Sequence, residues 1–313
     1  MDNGTFHILS LDGGGLKGLF IASFLAQWEK TTGCSVADAF DLIVGTSTGG
    51  IIALALAIGT PANEIASFYR DEALAIFPKS PFGKFKHFFT VKHSAKGLES
   101  ALQRHFSDRI LGDSQKRLII PAFNPQSRGI HLYKTPHHPR LRYDWKERMV
   151  DVARATAAAP TFLAPFVNDS GLQLIDGGMF ANNPVMLGIA ECLGYLEIPQ
   201  PSIKALRIGA TSEVVAIHSG FRSGGKLAMA GPVISYMFAG QEQCASGMAS
   251  HILNGRYWEV NPKVAPQNFQ LDALAEELIA LGEAEFRTHC SALGERGFLN
   301  HAAQPYTPYY PQS

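Results

Sequence analysis

Within the first 60 residues an apolar run, a glycine-bearing turn and a helix-spaced segment follow one another twice. Phe6–Leu11 leads through Asp12-Gly13-Gly14-Gly15 to Leu16–Lys30, where apolar residues fall at 16, 19, 20, 24 and 28 and Gly33 marks the stop. Phe40–Val44 leads through the tight turn Gly45–Gly50 to the apolar stretch Ile51–Ile58, which ends at Gly59 and Pro61. Two such units predict a parallel sheet with helices packed on it.

The rest of the chain extends that pattern. Further helices are expected over Ala62–Ile76, Leu98–Phe106, Arg148–Ala159 and Val185–Leu193. Strands are expected over Arg117–Phe123, Gly129–Lys134, Leu172–Ile175 and Lys204–Gly209. From Ser223 onward the chain reads as mostly helical, with Leu271, Leu274, Leu278 and Leu281 at 3-4-3 spacing, and it closes in a tail that is either loose or ordered by contact. With no internal repeat and no long linker, all 313 residues are read as one α/β domain, its core spanning about residues 6–210 and its helical C-terminal part about 223–300. The formal net charge of +0 gives no global electrostatic case for a nucleic-acid partner. Cys34, Cys192, Cys244 and Cys290 lie far apart, so buried free thiols are expected rather than a metal site or disulfides. The N-terminus lacks a signal-peptide pattern and Ile51–Ile58 is too short to span a bilayer, which points to a cytoplasmic protein.

The first glycine turn has two readings. Gly13, Gly15 and Gly18 spell G-x-G-x-x-G, the outline of a dinucleotide-binding loop. Against it, Asp12 would face a diphosphate with nothing obvious to neutralise it, and Asp41 begins the second strand rather than ending it. The second turn, Gly45-Thr46-Ser47-Thr48-Gly49, is G-x-S-x-G between a strand and a helix, the context of a nucleophile elbow. The two turns complement each other. A serine acyl transfer needs backbone N–H donors about 3 Å from a developing oxyanion. Gly13, Gly14 and Gly15 let a backbone come that close, Lys17 adds positive charge, and neighbouring parallel strands would set the loop beside Ser47.

The proton acceptor has two candidates. A Ser-His-Asp triad would draw on His218, His251, His289 or His301, none of which follows a clear strand. Alternatively, a strand ending in Asp176-Gly177-Gly178 brings a carboxylate to the end where open α/β sheets place their ligands. Burial would have to raise its pKa from about 3.9 for it to act as a base near neutrality.

Four blocks in order, SLDGGGLKG, GTSTGG, ARATAAAPTF and DGGMFANNP, resemble the patatin-like phospholipases over about residues 6–186, with weaker similarity through QEQCASGMASHILNGRYWEVNP. The resemblance implies a three-layer α/β/α sandwich around a mainly parallel sheet. It implies a Ser47–Asp176 dyad without histidine, an oxyanion hole at Gly13, Gly14 and Gly15, and hydrolysis of lipid acyl esters without metal or cofactor. Lys17 stands where the family often has Arg, and Thr156-Ala157 replaces the commoner Thr-Ser, in a block assigned a structural role. Phospholipid is the implied substrate, with galactolipid and neutral glyceride as alternatives. Similarity to compact bacterial members implies a cyclic-nucleotide activator and a role in antiviral defence. A non-catalytic dinucleotide- or membrane-binding protein is the rival class.

Two basic stretches bear on partners. Phe77–Leu98 interleaves Lys79, Lys84, Lys86, Lys92 and Lys96 with Phe77, Phe82, Phe85, Phe88 and Phe89, which suits contact with an anionic membrane surface, a lid, or core packing. Arg128–Lys146 holds Lys134, His137, His138, Arg140 and Arg142, a candidate cover for phosphate head groups or an anionic regulator.

Overall fold

The computed structural model describes residues 4–76, 95–160, 162–213, 226–264 and 271–310. Its centre is an eight-stranded sheet in the order β5-β6-β3-β2-β1-β7-β9, with β4 also paired to β3. The strands are β1 (Phe6–Leu11), β2 (Leu42–Gly45), β3 (Arg117–Asn124), β4 (Gly129–Lys134), β5 (Phe166–Val167), β6 (Gln173–Asp176), β7 (Ile203–Ile208) and β9 (Tyr257–Val260). Two further short strands, β8 (Ser212–Glu213) and β10 (Lys263–Val264), pair with each other. The helices are α1 (Gly18–Thr32), α2 (Thr48–Ala57), α3 (Ala62–Ile76), α4 (Ala95–Phe106), α5 (Met149–Thr156), α6 (Gly178–Ala181), α7 (Val185–Gly194), α8 (Lys226–Leu253) and α9 (Leu271–Glu295).

Strand periodicity builds the layers. Successive side chains of a strand point to opposite faces. Ile8, Leu42, Val44 and Ala205 pack against α7 and α8, while Leu9, Leu11, Ile43 and Leu206 pack with α1, α2 and α9 on the other side. All eight side chains are fully buried, and each large one contributes about 1.5–3 kcal/mol relative to exposure. The three-layer sandwich is therefore the expected one, and the strands β2, β3, β1, β7 and β9 run parallel at its middle. Gly33 ends α1 at φ 71°, as its position suggested.

Three expectations need correction. First, the C-terminal third is mostly helical, as expected, but it also holds a strand that the sequence reading did not include, because a four-residue run is too short to display a period: Tyr257–Val260 forms an edge strand parallel to β7. Second, Cys34 and Cys244 are exposed, and only Cys192 of the four is fully buried. Third, β6 does not run with its neighbours but antiparallel to β3, pairing Asp176 with Ala122 and Ile175 with Phe123.

This third difference creates the site. Along one edge β3 is covered by β4 from Ile119 to Asn124. The other edge is shared, with β2 on Arg117–Ile119 and β6 on Ala122–Phe123. Strand β2 therefore climbs to its end at Gly45 while β6 descends the same edge toward it. Ser47, two residues past the end of β2, and Asp176, the last residue of β6, are thereby brought together. The opposite end of the sheet is closed by the tail, where His301 Nε2 lies 2.8 Å from Asp41 Oδ2 and the Tyr309 N–H donates to the Pro136 carbonyl at 2.8 Å, so the described tail is ordered by contact.

Candidate active site

Ser47 occupies the turn between β2 and α2 with φ 54° and ψ −122°. A positive φ is unfavourable for a residue with a side chain, and such strain persists only where the surroundings impose it. Here they do. A Cβ on Gly45 would lie 2.3 Å from the Gly49 carbonyl oxygen, and one on Gly49 would lie 2.3 Å from the Leu11 carbonyl oxygen. The turn is thus pressed between its own helix and β1. The Ser47 N–H donates to Thr156 Oγ1 at 3.0 Å, and Thr156 Oγ1 donates to the Pro121 carbonyl at 2.6 Å. Ser47 itself is 9% exposed, at the N-terminal, electropositive end of α2.

The structural role expected for the third sequence block is thereby given an atom. Thr156→Val keeps the shape but leaves a buried N–H and a buried carbonyl without partners. It is expected to lower stability by about 1–3 kcal/mol, read as a lower urea midpoint with an unchanged slope.

The Ser47 side chain lies beside the Asp176 carboxylate, whose Oδ1 accepts the Gly178 N–H at 2.7 Å. The Asp176 N–H donates to the Ala158 carbonyl at 3.0 Å. Burial pushes the Asp176 carboxyl up, to about 6, and the adjacent Ser47 hydroxyl and the Gly178 N–H restrain the rise. A carboxylate so placed is ionised at neutral pH, and its raised pKa makes it a better acceptor for a serine proton than an ordinary carboxylate.

The glycine loop lies beside this pair. A Cβ on Gly13 would sit 3.2 Å from Ser47 Cβ and only 2.4 Å from Asn182 Oδ1, so the approach requires a residue without one. The Gly13 N–H is engaged, donating to the Asn182 carbonyl at 3.1 Å. The N–H groups of Gly14 and Gly15 have no acceptor among the described residues, and both glycines are exposed. Lys17 is half-buried one turn on, and its N–H donates to the Gly14 carbonyl at 3.2 Å. Asp12, whose charge counted against a diphosphate, is buried and held by the Arg207 guanidinium, Nε to Oδ2 at 2.9 Å. Sequence reading missed Arg207 and Asn182; the Asn-Asn-Pro turn after Gly178 was the visible signal for the second.

The late histidines lie elsewhere. His301 is bonded to Asp41 at the other end of β2 from the elbow. His289 pairs with Glu285 at 3.3 Å and meets the Trp258 ring, and His251 is exposed on α8. No hydrogen bond joins any of these three to Ser47 among the described residues. His218 lies outside the described residues, as do residues 77–94 of the first basic stretch. The second basic stretch divides. Lys134 and His137 turn inward to Glu191, at 2.5 and 2.8 Å, whereas Arg128, Arg140, Arg142 and Lys146 are exposed. Its charge is therefore partly neutralised within the fold.

Known proteins resemble this chain over much of its length. The family model described as patatin-like phospholipase matches residues 9–189, a span that includes the glycine loop, the elbow, Thr156 and Asp176. A cGAMP-activated phospholipase of Pseudomonas aeruginosa is 33% identical over 309 residues, covering 96% of this chain and 88% of the relative. A cGAMP-activated phospholipase of Vibrio cholerae is 34% identical over 264 residues, covering 75% and 74%. Patatin-like protein 2 of Arabidopsis thaliana is 34% identical over 214 residues, covering 59% and 52%. A likeness that runs through each of the elements meeting at Ser47 makes this chain a member of the patatin-like phospholipase family.

Proposed function

We propose that this chain hydrolyses fatty-acyl esters of membrane phospholipids by a Ser47–Asp176 dyad, and that a cyclic nucleotide switches it on as an effector in antiphage signalling. The observation that carries the chemistry is the juxtaposition of Ser47, strained at its elbow, with a buried carboxylate whose pKa is raised to about 6. In the proposed reaction Ser47 Oγ attacks the ester carbonyl while Asp176 takes its proton. The oxyanion is met by the Gly14 and Gly15 N–H groups, with Gly13 permitting the approach and Lys17 adding positive charge. The bond to the lysolipid oxygen breaks, and that oxygen leaves with the proton from Asp176. Water then attacks the acyl-enzyme, Asp176 takes a proton from it, and Ser47 Oγ is released with that proton as the fatty acid departs. No step in this sequence calls on a metal or a cofactor.

The similarity to two cGAMP-activated phospholipases supports the lipid substrate and the activator. Among the described residues no helix is long and apolar enough to cross a membrane, so the lipid is reached from the surface in this reading. Lipid mass spectrometry of phospholipid vesicles treated with wild type and Ser47→Ala, each with and without cGAMP, tests both halves. Free fatty acid and lysolipid are expected with wild type, rising on cGAMP addition, and neither product with the variant. Release by wild type that cGAMP leaves unchanged would retain the hydrolase and remove the switch.

A further inference from the structure

Beneath the glycine loop lies a ring of polar contacts that the proposed reaction does not itself use. Arg207, on β7, grips the Asp12 carboxylate through Nε and through one terminal nitrogen. The same nitrogen reaches Glu242 Oε2 on α8 at 3.2 Å, and the other terminal nitrogen reaches Glu259 on β9 at 3.0 Å. Glu242 Oε1 accepts from Asn182 Nδ2 at 2.7 Å. Asn182 in turn holds Gly13 from both sides, its carbonyl accepting the Gly13 N–H at 3.1 Å and its Nδ2 donating to the Gly13 carbonyl at 3.2 Å. Both hydrogens of the Asn182 amide are thereby used. The adjoining residue repeats the grip, because Gln241 exchanges two hydrogen bonds with the Asn183 backbone at 3.1 and 3.2 Å.

Asp12 and Gly13 are thus fixed by two holders on different elements, Arg207 on the Asp12 carboxylate and Asn182 on the Gly13 backbone, and Glu242 joins the two. A donor that has to meet a developing oxyanion works only if held to within about 0.5 Å, and an error of about 1 Å costs roughly 100-fold. We propose that Glu242 is a positioning residue for the glycine loop, so that helix α8 is the support on which the Gly14 and Gly15 donors are aimed. This rests on the reading of that loop as the oxyanion site.

The test measures kcat and KM for a chromogenic short-chain ester, with cGAMP present, on the full chain. Glu242→Ala is expected to lower kcat about 10- to 100-fold with KM within about twofold. Glu242→Gln keeps volume and one acceptor, and kcat should fall between that of Glu242→Ala and wild type. Glu242→Ala combined with Asn182→Ala should be no slower than the worse single variant, because both act on one peptide. Hydrogen exchange over Asp12–Lys17 should quicken in Glu242→Ala whether or not substrate turns over. Met248→Ala, exposed on the same helix, should change nothing. A wild-type kcat in either Glu242 variant overturns the proposal, as does strict additivity with Asn182→Ala. Misfolding of both Glu242 variants would assign the residue to stability and overturn it equally. Ser47→Ala and Asp176→Asn, assayed alongside, separate the two failures: activity in those variants sinks the dyad reading, whereas their silence beside a normal Glu242→Ala sinks this inference alone.

Discussion

Ser47→Ala is expected to lower kcat by about 10⁴- to 10⁶-fold while leaving the fold intact. The size follows from the proposed reaction, in which Ser47 supplies the attacking atom. What remains is the residual assistance of the glycine loop and of substrate binding. The fold should survive because the contacts that hold the elbow belong to the Ser47 backbone: its N–H goes to Thr156 and its carbonyl accepts the Ile51 N–H at 3.1 Å. Fatty-acid release followed by mass spectrometry, with a urea melt on the same preparation, checks both parts. Release at a wild-type rate by a folded Ser47→Ala protein would remove Ser47 from the reaction.

Asp176→Asn is expected to abolish turnover and to make the protein more stable above about pH 6. The first effect follows from the proposed reaction, in which Asp176 is the proton acceptor. The second follows from burial. The folded carboxyl has a pKa of about 6 against the ordinary 3.8, so the folded state binds this proton more tightly than the unfolded one. Below 3.8 both states are protonated and nothing is gained or lost. As pH rises through that range to about 6 the folded state loses relative stability, and above 6 the ionised group costs it about 3 kcal/mol. Asparagine is neutral throughout and can still accept the Gly178 N–H. Its stability advantage should therefore be greatest near pH 8 and shrink as pH falls through about 6. In the wild type, kcat should fall about tenfold per pH unit below the same value as Asp176 takes up its proton. Urea midpoints at about pH 8 and about pH 5 for both proteins read the first trend. An Asp176→Asn protein no more stable than wild type at the higher pH would contradict the burial argument.

The parts of the site that were legible in the sequence are those that demand a missing side chain. Gly45 and Gly49 flank a serine and leave no room for a Cβ of their own, and a Cβ on Gly13 would come within 3.2 Å of Ser47 Cβ. Such positions admit few residue types, so they show. The order of β1, α1, β2 and α2 was equally plain, since period and glycine position fix each element. Direction was not. The four residues of β6 carry no mark of which way they run, and only the register with β3 reveals that Asp176 descends toward the elbow. Long-range polar partners were hidden for a similar reason. Asp12 looked unneutralised because Arg207 stands 195 positions away in the chain, and nothing local to either residue announces the pairing. Thr156 reads as a small residue in an alanine-rich helix until Ser47 and Pro121 are seen on either side of its hydroxyl. The aromatic and basic segment before α4 was the sequence's clearest suggestion of a membrane contact, and residues 77–94 lie outside the described residues.

Labelling by a fluorophosphonate, with the adduct located by peptide mass spectrometry, tests the pairing of Ser47 with Asp176 most directly. The expected result in the presence of cGAMP is a single adduct on Ser47, formed at a rate that rises with pH through a value near 6 and is lost in Asp176→Asn. An adduct on another residue, or an Asp176→Asn protein labelled as fast as wild type, would contradict it.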